Sequence, residues 1–299
     1  MEKLVSAIIT TYCRDVRMVM RAAKSVMQQT HRNIEIIVID DSPEDFYARD
    51  EVERAITSLS NQIIYIRHPY NMGACEARNT GLRVATGEFV AFLDDDDEWI
   101  PTKIEKQLHA FTSDDVALVY CGQILLNDVT GTSVTPTRKY KSGFVYGELV
   151  WENFVGSTSF PLIRRKSLEE IGGFDPLMQS AQDYDVWTRL AQKYKINYVA
   201  EPLVIYHLHN GEQITGNPKK RIAGQERFIE KNQEYLLKNK TAWWRRHIRL
   251  AAEYGKDRRL GCALKLWFAS AIKCPGAIKE NLYYLLKIVH NFFSSYRHS

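Results

Sequence analysis

The strongest chemical feature of the sequence is a run of four carboxylates, Asp94–Asp97. The run directly follows Glu88–Leu93, a mainly apolar stretch that is typical of a buried strand. Four neighbouring negative charges repel one another, so a cation is expected to neutralise them. Hard carboxylate oxygens suit Mg²⁺ or Mn²⁺, with a phosphate completing the coordination shell. The alternative is a solvated acidic turn before a helix that begins near Pro101, and we favour the metal site.

A second acidic cluster, Asp40–Ser42, follows the apolar run Ile34–Ile39. Taken alone, it is typical of a helix N-cap, in which a side-chain oxygen accepts backbone N–H groups. Beside another acidic strand end, a second role becomes reasonable. The Asp41 carboxylate is purely an acceptor and suits the imide N–H of a uracil.

Three other clusters leave their roles open. Arg78 lies in a helix that starts after Gly73, and such a helix N-terminus suits a diphosphate, although an arginine there is more often in a surface ion pair. Asp183 opens a helix and His207–His209 follow a strand. Each could act as a general base or metal ligand, or could be a helix cap or structural histidine, and spacing does not decide between them.

The elements that must position these residues alternate in type along the first hundred residues. Four short apolar runs predict strands covered on both faces, and helical patterns lie between them. The predicted strands are 5–10, 34–39, 63–66 and 88–93, and the predicted helices are 16–29, 45–60 and 74–85. This order indicates a parallel sheet with right-handed crossovers, in which ligands lie beyond the carboxyl ends of the strands. The acidic clusters stand at those ends.

The rest of the chain is mixed and then helical. Strands are predicted near 117–120 and 196–199, with a helix over 181–193. From residue 217 the pattern is almost entirely helical, and we place a boundary within 216–221. One helical face of the last segment holds Leu282, Leu285, Leu286, Val289 and Phe292.

Length and composition set the class of protein. The chain has 299 residues, 45% hydrophobic and 25% charged, which is ordinary for a globular protein and excludes a wholly disordered one. No apolar run approaches the roughly 20 residues that cross a bilayer. The five cysteines are scattered, which argues against a disulfide framework or a zinc site. The N-terminus lacks a cleavable signal pattern, so we expect the catalytic body in the cytosol.

The net charge of +4 is unevenly distributed. Residues 217–299 contain 18 Lys and Arg against 6 Asp and Glu, a balance of +12, so the remainder carries −8. Such a basic tail indicates a nucleic acid, an anionic membrane surface or only a solvated helical face.

Five segments, in this order, carry most of the chemistry described above: SAIITTYCRD, SVMQQTHRNIEIIVIDDSPED, NMGACEARNTGLRVATGEFVAFLDDDDEWIPTKIEKQL, LIRRKSLEEIGGFDPLMQSAQDYDVWTRL and YHLHNG. They span about seventy per cent of the chain and, taken together, resemble the glycosyltransferases of family 2, inverting enzymes of the GT-A fold. The resemblance implies an α/β catalytic domain over 1–216, with a mostly parallel, Rossmann-like sheet, followed by a helical extension over 217–299. Within the domain it implies a nucleotide-sugar half (1–112) and an acceptor half (113–216).

The resemblance implies a role for each matching position. The residues implied to hold the nucleotide-sugar are Thr10, Tyr12, Asp41, Arg78, Asp94 and Asp95, with Asp41 on the base. Asp96 matches the metal ligand of the DXD motif, and His209 matches a histidine on the loop that closes over the diphosphate, a second candidate metal ligand. Asp183 stands at the general-base position, although the usual preceding Glu is here Gln182.

The resemblance also implies an activity. The chain has neither membrane spans nor the Q-x-x-R-W motif of processive members, which indicates one sugar added per visit. A sugar would move from a nucleotide-sugar (a UDP-sugar is favoured), with Mn²⁺ or Mg²⁺, to a hydroxyl of a saccharide or lipid-linked acceptor. Similar bacterial enzymes build LPS O-antigen, capsule or exopolysaccharide at the cytoplasmic face. Outside the matching segments, Trp243–His247 and the basic helices beyond it, within 217–299, would suit a peripheral hold on anionic lipid, although a helical subdomain that packs on the core or pairs two chains fits equally.

Three other functions fit parts of the sequence, and each is opposed by one feature of it. An inactive nucleotide-sugar-binding module would have no need of both Asp96 and Asp183. A nucleotidyltransferase usually carries glycines after its first strand, and Thr10–Arg14 has none. A nucleic-acid binder is opposed by the acidic body, so we expect no nucleic acid partner.

Overall fold

The computed structural model describes residues 2–208 and 217–294. A mixed sheet of nine strands forms its centre. The first four strands are parallel in the order β3-β2-β1-β4, and their ranges are β1 Val5–Thr11, β2 Ile34–Asp40, β3 Ile64–Arg67 and β4 Phe89–Asp94. The helices that connect them are α1 Val16–Met27, α2 Arg49–Leu59 and α3 Ala74–Val84. The predicted α/β alternation is confirmed.

The second half of the sheet departs from the parallel pattern. Beyond β4 the strand order is β8, β6, β9 and β5. β8 is antiparallel to both β4 and β6, β9 is parallel to β6, and β5 is antiparallel to β9. The ranges are β5 Glu98–Trp99, β6 Val116–Asn127, β7 Ser133–Val134, β8 Leu162–Arg164 and β9 Lys195–Leu208. The helices here are α4 Lys103–His109, α5 Tyr146–Trp151, α6 Arg165–Glu170 and α7 Gln182–Lys193. β6 and β9 are far longer than predicted, because they pair with each other along the whole of β6, including its second half, which is only partly buried.

The helix predicted from residue 45 begins instead at Arg49. Asp40 explains the delay, because its carboxylate accepts the Ser42 N–H at 2.9 Å and thereby forms a turn. The Arg49 guanidinium then pairs with the same carboxylate at 3.2 Å, so the first residue of α2 is held at the end of β2. The N-cap interpretation of Asp40–Ser42 is therefore wrong for α2.

Lys103 of α4 is a completely buried cation, and it donates to a side-chain amide oxygen rather than to a carboxylate. Its ammonium lies 2.8 Å from Gln107 Oε1 and 4.3 Å from the Trp99 ring centroid. Desolvation by burial lowers the pKa of Lys103 to about 8.

The variant Lys103→Met is expected to be more stable than wild type at pH 7, because it removes a charge that folding must desolvate. Between pH 8 and 10.5 the unfolded wild type binds the extra proton, so the free energy of unfolding of wild type rises with pH. The gap in the free energy of unfolding between Lys103→Met and wild type, measured by urea titration, should therefore narrow between pH 8 and 10.5. A gap that stays constant from pH 7 to 10.5 would contradict the assignment.

The chain divides into two compact units. One comprises residues 1–149, 153–176 and 183–210, and the other comprises 150–152, 177–182 and the chain from 211. The second holds α8 Pro218–Lys231, α9 Gln233–Lys238, α10 Lys240–Lys256, α11 Leu260–Lys273 and α12 Ile278–Ser294. Asn217 caps α8 through its side chain, with Pro218 as the first helical residue. The expected helical extension is confirmed, whereas the functional division at residue 112 stays a prediction.

The helical unit has its own core, which includes Leu250, Ala251 and Ile288. Trp244 belongs to its interior, since it is only 5% exposed and its indole N–H donates to Asn281 Oδ1 at 2.8 Å. Trp243 stacks on His247, with ring centroids 3.7 Å apart. Trp244 is therefore committed to the protein interior, and the membrane hold predicted for residues 217–299 stays a prediction. Among the described residues, no helix combines the length and the apolar character that crossing a membrane requires.

Candidate active site

The carboxyl ends of the parallel strands bring several predicted residues together. β1 lies between β2 and β4, with Thr10 in register with Asp94 and Thr11 in register with Asp40. Tyr12 follows β1 and is 48% exposed at this edge. Cys13 has a positive φ of 49°, and its N–H donates to Ser42 Oγ at 2.9 Å, which ties the turn after β1 to the end of β2.

Arg78 and Asp94 form a partly buried ion pair. The guanidinium Nη2 lies 2.8 Å from Asp94 Oδ1, and the hydroxyls of Ser157 and Thr158 also donate to this carboxylate at 3.1 and 2.9 Å. Burial would raise the pKa of Asp94, but Arg78 and the hydroxyls outweigh it and lower the pKa. Asp94 is therefore ionised and holds Arg78 at the strand end, so Arg78 is not the surface residue that its position alone suggested.

Arg14, from the turn between β1 and α1, contacts two of the other carboxylates. Its Nε lies 2.9 Å from Asp95 Oδ1 and its Nη2 lies 3.0 Å from Asp96 Oδ2. Asp95 is 5% exposed, and burial raises its pKa to about 7. The Asp96 side chain is 20% exposed. Arg14 was not predicted as a site residue, although a cation three residues beyond β1 was the available signal.

Asp97 differs from its three neighbours because it points into the protein. It is 1% exposed, and its Oδ2 accepts the Ser159 hydroxyl at 2.6 Å. Burial, together with the charges of Asp94 and Asp96, raises the pKa of Asp97 well above its usual range. Asp97 therefore favours its uncharged form more strongly than an exposed aspartate does, and its side chain faces the interior rather than the open edge of the site.

The remaining carboxylates fit a divalent metal that binds together with a nucleotide. Within 2–208 and 217–294, no group of three or more His, Cys, Asp or Glu could hold a metal ion. Mg²⁺ and Mn²⁺ are commonly held by one or two carboxylates plus substrate phosphates, and Asp96 offers a partly exposed hard oxygen for this purpose. His209, the other candidate ligand, lies outside the described residues.

His207, close to His209 in sequence, has a structural environment. Its buried ring contacts Asp128 at 2.6 Å through Nδ1 and Glu98 at 2.8 Å through Nε2. Burial lowers the pKa of His207, but the two carboxylates outweigh it and the pKa is raised. This ion-paired histidine fixes the end of β9 beside the acidic run.

Asp41 organises the segment that leads into α3. Its carboxylate accepts the N–H groups of Met72 at 2.7 Å and Gly73 at 2.8 Å, and it contacts His68 Nδ1 at 2.7 Å. Gly73 has a φ of +89°, which an L side chain rarely adopts. Asp41 thus holds the start of α3, a different helix from the one that its N-cap interpretation assumed. His68 was missed because a lone histidine carries no spacing signal.

Asp183 lies in the first turn of α7 and interacts electrostatically with Asp94 and Arg78. Burial raises the pKa of Asp183 to about 7, the Asp94 charge raises it further, and Arg78 opposes both. A carboxyl group whose pKa lies near neutrality can accept and release a proton at working pH. The described part of the chain therefore brings the predicted base to the carboxyl end of β4.

The segment Gly172–Phe174 connects α3 with α7. The Asn79 side chain donates to Phe174 O and accepts the Phe174 N–H, both at 2.8 Å. Arg189 of α7 donates to Gly173 O at 2.6 Å. A Cβ on Gly173 would lie 2.6 Å from Asn79 Oδ1, so only glycine fits without displacement. The position of Asp183 relative to Arg78 is fixed by this segment.

Comparison with known proteins gives the same fold. A mannosyltransferase, PcManGT from Pyrobaculum calidifontis, solved with GDP-Man and Mn²⁺, superposes with a TM-score of 0.62 at 16% identity, over 98% of this chain and 88% of that one. S. aureus TarS 1–349, solved with UDP-GlcNAc, gives 0.62 at 15% identity, over 99% and 92%. At such identities the likeness shows the GT-A fold alone.

Sequence comparison is more specific. The putative colanic acid biosynthesis glycosyl transferase WcaA of Escherichia coli K12 is 30% identical over 81% of this chain and 91% of its own length. The Escherichia coli UDP-Glc:alpha-D-GlcNAc-diphosphoundecaprenol beta-1,3-glucosyltransferase WfaP is 29% identical over 76% and 86%. The sequence model of glycosyl transferase family 2 matches residues 6–172, more than half of the chain. The protein thus belongs to glycosyl transferase family 2, among relatives of bacterial polysaccharide biosynthesis.

Proposed function

We propose that the protein is a non-processive, inverting glycosyltransferase in the synthesis of LPS O-antigen, capsule or exopolysaccharide. It would move a sugar from a nucleotide-sugar, with a UDP-sugar favoured, to a hydroxyl of a saccharide or lipid-linked acceptor. One observation carries the proposal, namely that Asp183, a carboxyl with a pKa of about 7, interacts with the Arg78–Asp94 pair at the carboxyl end of β4. A single displacement at an anomeric carbon needs a group that accepts the proton of the attacking hydroxyl and charged groups that stabilise the leaving diphosphate.

In this mechanism Asp183 accepts the proton of an acceptor hydroxyl as its oxygen bonds to the anomeric carbon. The bond from that carbon to the diphosphate oxygen breaks in the same step, and the electron pair leaves with the diphosphate. Attack opposite to the leaving group inverts the centre, and no covalent enzyme intermediate is needed. Arg78, held by Asp94, places positive charge at the strand end where the diphosphate departs.

The donor would lie across the ends of β1, β2 and β4. Tyr12 and Thr10 would contact the nucleoside and Asp41 the base, while Asp94 and Asp95 would border the diphosphate. A bound Mn²⁺ or Mg²⁺, held by Asp96 and His209, would neutralise charge on the departing diphosphate. Support comes from the neighbours solved with GDP-Man and Mn²⁺ or with UDP-GlcNAc, and from the UDP-Glc in the name of WfaP.

The acceptor proposal draws on the same relatives. WfaP is named for a diphosphoundecaprenol-linked GlcNAc, which favours a lipid-linked acceptor for this chain. We place the catalytic work on the cytoplasmic side, at the inner face of the plasma membrane, where nucleotide-sugars are available. Homo-oligomer formation stays a prediction, and no nucleic acid partner is proposed because residues 1–216 are acidic.

The experiment that tests the function incubates the purified protein with Mn²⁺, a panel of UDP-, GDP- and dTDP-sugars, and a synthetic GlcNAc-diphospho-lipid. We expect release of one nucleoside diphosphate together with a heavier acceptor in mass spectrometry. Inversion is read from the anomeric coupling constant of the product. Nucleotide binding without any transfer over the whole panel would favour the inactive binding module instead, and retained configuration would contradict the mechanism.

A further inference from the structure

The helical unit exposes two rows of large apolar side chains that its own core does not cover. On α11 the row is Leu264, Phe268 and Ile272, and on α12 it is Leu282, Leu286, Val289 and Phe293. Phe268, Ile272, Leu286 and Phe293 are each more than 60% exposed. Residues three or four apart share one face of a helix, so each row is a continuous stripe.

The two stripes lie on neighbouring helices. α11 and α12 pack against each other, the Trp267 indole N–H donates to Asn281 O at 2.8 Å, and four residues, 274–277, connect the helices. The opposite sides of the helices are committed to the core, as fully buried Ala263 and Ile288 show. We call the seven exposed residues of the two rows the α11–α12 face.

Positive charge borders this face. Residues 260–294 contain four lysines and a single acidic residue, Glu280. Lys265 and Lys279 are exposed beside the rows on α11 and α12. Lys287 covers the rings of Tyr283 and Tyr284 at 5.6 and 5.7 Å, on the same helix. An apolar strip bordered by lysines is the pattern of a helix that lies in the headgroup region of an anionic bilayer.

We propose that the α11–α12 face docks on the surface of a membrane that contains anionic lipid, with the apolar rows among the acyl chains and the lysines at the headgroups. Pairing with a second copy of the chain is the main alternative, but it would bring the lysines of both copies together without countercharge. An anionic membrane supplies that countercharge. Each lysine near the surface should raise the affinity for such a membrane about fivefold. A membrane surface therefore matches both the apolar and the charged parts of the face.

The experiment is co-sedimentation of the full chain with phosphatidylglycerol-containing vesicles and with pure phosphatidylcholine vesicles. We expect binding to the anionic vesicles that weakens with salt and is at least about tenfold lower in the variant Phe268→Ser/Phe293→Ser. The variant Lys265→Glu/Lys279→Glu should lose the preference for anionic lipid. The matched control is Phe144→Ser/Val129→Ser, which removes two exposed apolar side chains from the other unit and should bind as wild type.

Circular dichroism melts establish that the variants fold, which is expected because the replaced side chains are exposed. Equal binding by wild type and Phe268→Ser/Phe293→Ser, or no binding of wild type to either vesicle, would overturn the proposal. A wild-type dimer in light scattering that this variant dissociates, without vesicle binding, would assign the face to a second copy. The proposal extends the proposed function, since a lipid-linked acceptor resides in a membrane. Its test uses no sugar, so failed transfer and failed docking are separate results.

Discussion

Asp183→Asn is expected to lower turnover by about 10²–10⁴-fold, the usual contribution of a positioned general base. Asparagine keeps the size of the side chain but cannot accept the acceptor proton. Nucleotide affinity in calorimetry should stay within about twofold of wild type, because the change affects the chemical step rather than donor binding. Equal turnover in variant and wild type would contradict the assignment of the base.

The pH profile of the wild type provides an independent check on Asp183. Burial raises the pKa of this carboxyl to about 7, so the form that accepts a proton dominates only above neutrality. Turnover should therefore fall about tenfold per pH unit below pH 7. The control is Asp114→Asn, an exposed carboxylate outside the site, which should keep both the rate and the profile. A pH profile in which turnover does not fall below pH 7 would contradict the assignment of Asp183 as the general base.

Asp96→Ala is expected to abolish metal-dependent nucleotide binding. Loss of a group that merely supports a metal ligand costs about 10–100-fold in affinity, so removal of a ligand itself should cost more than about 100-fold. The measurement is calorimetric titration of UDP in Mn²⁺ and in EDTA. In this variant the two titrations should coincide, whereas in wild type the Mn²⁺ titration should show far tighter binding.

Asp97→Asn is the matched control for the acidic run. Asp97 is buried, and burial raises its pKa and so favours the uncharged form, which an amide resembles in size and shape. The Mn²⁺ dependence of UDP binding should therefore persist in Asp97→Asn. If instead Asp97→Asn lost metal dependence and Asp96→Ala retained it, the metal site would have to be reassigned within the run.

The first half of the fold could be predicted because its signal is local. Strands buried on both faces, such as Ile34–Asp40, read as continuous apolar runs, and the helices between them have clear periodicity. β6 and β9 could not be predicted at full length, since the partly buried half of β6 includes Gln123 and Asn127, and β9 is interrupted by Glu201 and Pro202. Their strand character comes from pairing with each other, which a single segment does not show.

The residues of the candidate site also fall into a group that the sequence predicts and a group that it does not. Strand ends carry Asp41 and Asp94–Asp97 to one edge of the sheet, and that much follows from sequence order. The partners of these carboxylates could not be predicted, because His68 and Thr158 reach them only through tertiary structure. The sequence also could not distinguish Asp97, whose raised pKa depends on burial that only the fold creates.

The α12 segment shows a different limit. Its periodicity correctly indicated a helix, and the face predicted to be apolar included Leu282, Leu286 and Val289. These residues are exposed, while the buried side is centred on Asn281 and Ile288. Hydrophobicity alone identifies an apolar stripe but not which of two stripes the rest of the protein covers.

The Arg14 clamp bears on how the protein behaves in the absence of metal. The acidic run was expected to need an external cation, yet Arg14 spans Asp95 and Asp96, and Arg78 pairs with Asp94. The chain thus carries its own counterions and does not resemble small zinc domains, which unfold when the ion is removed. We therefore expect the chain to stay folded in the presence of a chelator. If the metal site proposed at Asp96 forms, divalent ions can then be added back one at a time, and the preference among them can be ranked without a refolding step.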